Sequence, residues 1–355
     1  MLAGDNVKKF PYKALIRSFL LLGIMLGVSL FLMRGNSEQI IKAITYLKWT
    51  DALVLLALAS SVTILQGMVF WKIIKMNGYQ YSLKDALQNV FISGFISTIF
   101  STTFGKGAQF ALVKSKNISW ETVCHVGLID QLMYYIADIS LCSFCIFLYQ
   151  KFFRQLFPEL WWVALTGLTI TVFIFLGLVL LYIPLINRFV LNLVKKIMAK
   201  LKPQGKLTKL LEVIRGFVLE VKLSMGKRNH QFNKYLGVIG LNMVKVLIRN
   251  GLMFMVIYLL NDKISFYDFP IYFASACFLE MALSALPVYG DKGTAEIGFV
   301  LVFGSFIGNV QATSAMLVWR FFSFYMNAVT GGLVLAFSNQ IHLRELLQSE
   351  NRQTK

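Results

Sequence analysis

The sequence predicts an all-α polytopic membrane protein, and three observations carry that prediction. The chain of 355 residues is 57% hydrophobic with a mean hydropathy of +0.65, above the roughly 45–50% apolar content of soluble domains. The excess falls in continuous blocks of about twenty residues, the length an α-helix needs to cross a hydrocarbon core about 30 Å thick. Between the blocks the charge is strongly one-sided. Backbone amides inside lipid must be satisfied within the segment, so the choice is between helices and a closed barrel. Uninterrupted apolar runs do not have the alternation of barrel strands, and helices are expected.

Residues 15–33 form the first expected span. The basic stretch before it (Lys8, Lys9, Lys13, Arg17) resembles the start of a signal peptide, but the apolar run is long and is followed by Arg34-Gly35-Asn36-Ser37 with no small-residue cleavage site, so it is read as a span. Residues 53–71 form the second. Residues 88–103 are apolar but short, break at Gly105-Lys106-Gly107, and return over 108–113 to Lys114 and Lys116. Long spans follow at 122–148 and 161–183. Residues 186–234 are strongly basic, with amphipathic stretches (Leu191, Val194, Ile197, Met198, Leu201; then Leu207, Leu210, Leu211, Ile214) expected to lie on the membrane surface. Residues 235–260 span again. Residues 270–286 break at Pro287-Val288-Tyr289-Gly290-Asp291-Lys292-Gly293, 294–308 return, and 313–337 make the last span.

The formal charge of +18, from 35 Lys and Arg against 17 Asp and Glu, is concentrated in the 186–234 segment. The positive-inside rule accounts for it, anionic lipid headgroups are its expected neighbours, and no nucleic-acid-reading motif accompanies it. With a cytoplasmic amino terminus in an inner (plasma) membrane, about six spans plus two re-entrant hairpins put this segment and the carboxyl tail inside, and the loops at 151–159 and 261–268 outside. Counting the hairpin arms as ordinary spans preserves the same parity. The shortness of the arms and the glycine-rich tips favour re-entrance. The two broken segments also resemble each other: each has an apolar arm, a glycine-flanked lysine, a short return, a polar turn near Asn117 or Asn309, and a long span. They read as an inverted repeat with halves 51–150 and 235–338 inside one integral membrane domain, and interrupted helices at matching positions point to a transporter's substrate site.

Ionisable residues at membrane depth, Asp138 among them, are costly, about 2.5–3.5 kcal/mol on insertion scales, and so carry information. Lys106, Lys292, Arg320, Lys245 and Arg249 are the candidates for holding an anionic group. Lys106 and Lys292 sit at the breaks, and Lys245 and Arg249 share a helix face at i, i+4 spacing. Glu280, Asp291, Glu296 and Asp130 are the candidates for balancing charge or coupling a proton; Glu296 and Arg320 could equally form a structural pair. Gly105, Gly107, Pro287, Gly290 and Gly293 mark the hairpin breaks. Tyr134, Tyr135, Trp319 and Tyr325 are expected to pack or to sit at the interface. Cys124, Cys142, Cys145 and Cys277 all lie in apolar blocks and read as small core residues, and His125, His230 and His342 have no ligand spacing, so no metal and no cofactor is expected. P-loop, nucleophile-elbow and zinc-helix motifs are missing, and the chain reads as a transporter rather than an enzyme.

Ser284-Ala285-Leu286-Pro287, Gly290, Gly293-Thr294-Ala295-Glu296 and Leu317-Val318-Trp319-Arg320 resemble the transmembrane family named after lysylphosphatidylglycerol synthase, over roughly residues 10–340. The first hairpin, from Asn89 through Gly105-Lys106-Gly107 to Asp130, is similar to that family's earlier glycine-rich block. It departs from the pattern in having Ser101-Thr102-Thr103 where a proline is usual and Asp130-Gln131 where a Glu-Arg pair is common, while Asp291-Lys292 replaces small residues in the second break. No aminoacyl-transferase domain lies within these 355 residues. The resemblance implies flippase-like movement of an anionic phospholipid or polyprenyl-phosphate-linked lipid in cell-envelope biogenesis. Two other readings stay open. One is a membrane transferase using Glu280, Asp291 or Glu296 as base on a lipid; the other is a non-transporting scaffold that docks envelope glycosyltransferases on the basic segment.

Overall fold

The structure, a computed structural model, describes residues 38, 42, 45–99, 102–114, 116, 118–201, 211–212, 214–219, 221–222, 232–286 and 294–338. The expected first span at 15–33, the second hairpin tip at 287–293 and the carboxyl tail lie outside the described residues. Among the described residues the fold is entirely helical: α1 Trp49–Met76, α2 Leu83–Ile99, α3 Thr102–Lys114, α4 Trp120–Leu148, α5 Gln150–Leu156, α6 Pro158–Leu180, α7 Pro184–Leu201, α8 Phe232–Leu260, α9 Phe269–Ser284, α10 Thr294–Ile307, α11 Asn309–Arg320 and α12 Met326–Phe337. The chain is an all-α polytopic membrane protein.

Helices α1, α4, α6 and α8 are long and apolar enough to cross a bilayer. Their surfaces fit lipid rather than water. On α6, Trp162, Phe173, Ile174 and Leu176 are all exposed, a contiguous apolar face that no soluble protein would present. Helix α8 is the opposite case. It packs against α1, α4, α9 and α11, and buries Asn242, Lys245 and Asn250.

One order of helix contacts occurs twice along the chain. Helix α1 contacts α2, α2 contacts α3, α3 contacts α4, and α4 returns to α1; likewise α8 contacts α9, α9 contacts α10, α10 contacts α11, and α11 returns to α8. Helices α1 and α8 meet at the centre, α4 crosses to α9, and α12 crosses to α2. Some of these contacts are so close that only glycine fits. A Cβ on Gly167 of α6 would strike the Met281 carbonyl oxygen of α9, and one on Gly331 of α12 would strike the Phe91 carbonyl oxygen of α2. Membrane helices gain packing from such small residues because the apolar effect that drives soluble cores is missing in lipid.

Three local features differ from the sequence reading. Gly105, Lys106 and Gly107 do not break the first hairpin: α2 ends at Ile99, and all three lie within α3. Gly105 instead permits close approach, since a Cβ there would lie 2.5 Å from the Ser97 Cβ and 2.7 Å from the Ser93 carbonyl oxygen. Asn89, fully buried on α2, donates to the Gln109 carbonyl at 3.1 Å and ties the arms together. The expected loop at 151–159 contains α5, whose Phe153 stacks on Phe278 of α9 with ring centroids 4.5 Å apart. The last span is continuous with α11 but passes through a π-helical turn, Phe321–Tyr325. The turn between α10 and α11 is a true glycine position, Gly308 at φ +83°.

The start of the basic segment forms α7, and apolar residues further along the segment dock on the protein. Val218 and Val221 are buried, and Val221 packs with Leu128 and Leu132 of α4. Asn187 of α7 donates to the Val218 carbonyl at 2.9 Å, which joins the two basic stretches.

Candidate functional site

Two polar stripes face each other at the centre of the molecule. On α4, Asp130, Tyr134 and Asp138 follow at four-residue spacing, and on α8, Asn242, Lys245 and Arg249 follow at three and four. Each set therefore occupies one helix face. The close packing of α4 on α8 brings the stripes together, with α1 and α9 closing the sides.

The network starts at Lys106 on α3, whose Nζ donates to Asp130 Oδ2 at 3.2 Å. Gln66 of α1 donates through Nε2 to both Asp130 oxygens, at 3.1 and 3.3 Å. Its Oε1 accepts from Lys245 Nζ at 2.6 Å, and Lys245 also donates to Asn242 Oδ1 at 2.6 Å. Gln66 thus bridges an acid and a buried ammonium that do not touch. The ammonium lies over the Tyr134 ring, 4.7 Å from its centroid, a cation–π contact that adds to its compensation for lost water.

The second part centres on Arg249. Nη1 donates to the Tyr134 hydroxyl at 2.6 Å; Nη2 donates to Asp138 Oδ1 at 3.0 Å and to the Glu280 carboxylate of α9. The Tyr134 hydroxyl lies 3.3 Å from both Asp138 Oδ1 and Glu280 Oε1. Asn250 donates to Glu280 Oε2 at 3.1 Å and to Cys277 Sγ at 3.4 Å. Asp138, Cys142 and Glu280 bring potential metal-ligand atoms within 4.8 Å of one another. The guanidinium between the two carboxylates already supplies the positive charge there, which makes the group an ion-pair cluster.

The Arg249 side chain is 32% exposed and that of Glu280 21%, although both belong to largely apolar helices. The Lys106 side chain is 49% exposed. Arg249 lies near the middle of α8, long and apolar enough to span, where open charge is costly against lipid tails, so the surface it lines is expected to be polar.

The structure brings together Lys106, Asp130, Lys245, Arg249 and Glu280. It does not join them to Glu296 and Arg320, which pair with each other, Nε to Oε1, at 2.7 Å between α10 and the end of α11. Arg320 lies against the Trp319 and Phe324 rings, with its guanidinium carbon 4.8 and 5.6 Å from their centroids. Asp291, Lys292, Pro287, Gly290 and Gly293 lie outside the described residues. Tyr134, expected only to pack, is a hub of the network. Asp138, an ionisable residue at membrane depth, joins the same network; Gln66, Asn242 and Asn250 are not among the sequence-predicted candidates, and the signal that could have found Asn242 is the face it shares with Lys245 and Arg249 on α8.

The family model described as the lysylphosphatidylglycerol synthase TM region matches residues 17–331. The chain belongs to this family. Membership in the lysylphosphatidylglycerol synthase TM-region family places it in membrane-lipid and envelope biogenesis. A search of curated proteins finds no match.

Proposed function

We propose that this protein moves an anionic lipid or lipid-linked precursor between the leaflets of an inner (plasma) membrane, with both termini in the cytoplasm. The observation that carries the reading is the partly open, charged cluster around Arg249 at membrane depth. Its residues come from both halves: Gln66, Asp130, Tyr134 and Asp138 from the first, and Lys245, Arg249, Asn250 and Glu280 from the second. Substrate sites of repeat-built transporters lie at such an interface.

In this reading 51–150 and 235–338 are inverted halves, α2–α3 and α9–α10 are the hairpins, and 186–234 faces the cytoplasmic headgroups. Arg249 holds the phosphate with Lys106 and Lys245 beside it, while the acyl chains remain in lipid. The Glu296–Arg320 pair keeps the second hairpin attached to the last span. The repeated packing plan and the family's lipid context both support this assignment.

The test is headgroup accessibility of fluorescent phosphatidylglycerol and polyprenyl-phosphate probes in proteoliposomes. Wild-type protein should expose inner-leaflet probe to an external quencher, and Arg249→Ala should lose that activity. Folded wild-type protein that moves neither probe would refute the reading.

A further inference from the structure

The Arg249 cluster holds one more carboxylate than its guanidinium needs. Asp138 and Glu280 both accept from the same Nη2 nitrogen. Over the whole network, the cations Lys106, Lys245 and Arg249 face the anions Asp130, Asp138 and Glu280. The formal charges cancel. A phosphate entering beside Arg249 would leave the cluster net negative, or push a carboxylate off the guanidinium and leave it unpaired at membrane depth, where an uncompensated charge is strongly unfavourable. A cation must therefore enter with it. The carboxylates already crowd the guanidinium and the Tyr134 hydroxyl, so the cation that fits is a proton.

The groups facing this pair are few. Around Glu280, α4 presents Tyr134, Asp138 and Cys142, α8 presents Arg249 and Asn250, and its own helix presents Cys277. On α6 the one charged residue is Glu159, in the first turn; on α10 it is Glu296, engaged with Arg320. A proton on either carboxylate converts an acceptor into a donor that can hydrogen-bond its neighbour or the incoming phosphate.

Resting on the translocation reading for the identity of the anion, we propose that a phosphate-bearing lipid headgroup binding at Arg249 takes up one proton onto the Asp138–Glu280 carboxylate pair, so that anion and proton move together. The proton enters from water with the headgroup, adds to a carboxylate oxygen and leaves when the headgroup leaves.

The experiment is calorimetric binding of short-chain phosphatidylglycerol, whose phosphodiester does not titrate in this range, to the full chain in detergent, in buffers of different ionisation enthalpy between about pH 5 and pH 8. Expected are an uptake of about one proton per headgroup and an affinity that rises by up to about tenfold per unit fall in pH. Glu280→Gln should lose most of the uptake and bind at high pH as the wild type binds at low pH. Asp138→Asn supplies the same test if Glu280→Gln does not fold. Binding without proton uptake, or uptake unchanged in both variants, would overturn the inference. Inorganic phosphate binding as tightly as the lipid would overturn the assignment to a lipid headgroup. Transport of the same probe in proteoliposomes separates the two claims. Lipid movement with no linked proton overturns this inference and leaves translocation standing; proton-linked binding without movement overturns translocation and the joint movement with it, and leaves only proton uptake at the carboxylate pair.

Discussion

Arg249 and Arg320 both sit in apolar membrane helices and both meet a carboxylate, yet their settings differ. Arg320 has an 11% exposed side chain, lies against two aromatic rings and faces Glu296 across the α10–α11 pair. Arg249 is 32% exposed, faces two acids and a tyrosine, and joins a chain of polar groups that reaches Lys106. The first is enclosed and serves two neighbouring helices. The second is open and connects α3, α1, α4, α8 and α9. In the proposed reading, openness together with a second acid is what separates a site from a fastening.

The sharpest way to break this comparison is to remove each arginine. Arg249→Ala leaves Asp138 and Glu280 without their cation, and should cost about 3–5 kcal/mol in denaturant unfolding and abolish lipid movement. Replacing the other pair as a unit, Glu296→Leu with Arg320→Met, removes both charges together and should leave stability unchanged or raised by about 1–4 kcal/mol. Probe movement should then stay within about twofold of wild type; loss of movement with intact folding would promote Arg320 to the site.

Smaller effects sharpen the picture. Gly167→Ala forces α6 away from the Met281 carbonyl of α9 and should cost about 1–3 kcal/mol by thermal unfolding. Because α9 carries Glu280, it should slow lipid movement as well. Gln66→Leu cuts the bridge between Asp130 and Lys245 and leaves two buried groups short of a partner. A loss of about 1–3 kcal/mol is expected, with weaker headgroup binding by titration. The exposed Lys116–Asp85 pair, 2.9 Å apart, is the control: Lys116→Ala should change stability by less than about 1 kcal/mol and leave transport unaffected.

Most of the helices were legible because a membrane imposes length and polarity on each segment separately. Lys245 and Arg249 were legible for the same reason: two cations at i, i+4 in an apolar run need a polar neighbour wherever they face. What the sequence did not reveal was which helix supplies that neighbour. Tyr134 looks like an interfacial ring until α8 lies across α4, and Gln66 is an ordinary polar residue until Asp130 and Lys245 meet on its two sides. Gly105 was misread for a related reason. A glycine that lets two helices touch has the same local signature as one that ends a helix, and only the neighbouring Ser93 and Ser97 distinguish them. The π-turn and α5 carry no composition signal at all; both arise from how neighbouring helices must be matched.

That π-turn has a geometric consequence. Each residue added to a helix rotates everything beyond it by about 100°, and a π-turn is such an addition held in place by its surroundings. Above it, Arg320 is aimed at α10; below it, Gly331 and Gly332 are aimed at α2. The five residues Phe321–Tyr325 act as a phase shifter, allowing one continuous rod to mesh with two partners whose teeth are out of step. Deleting a single residue there would leave both ends intact and unable to engage at the same time.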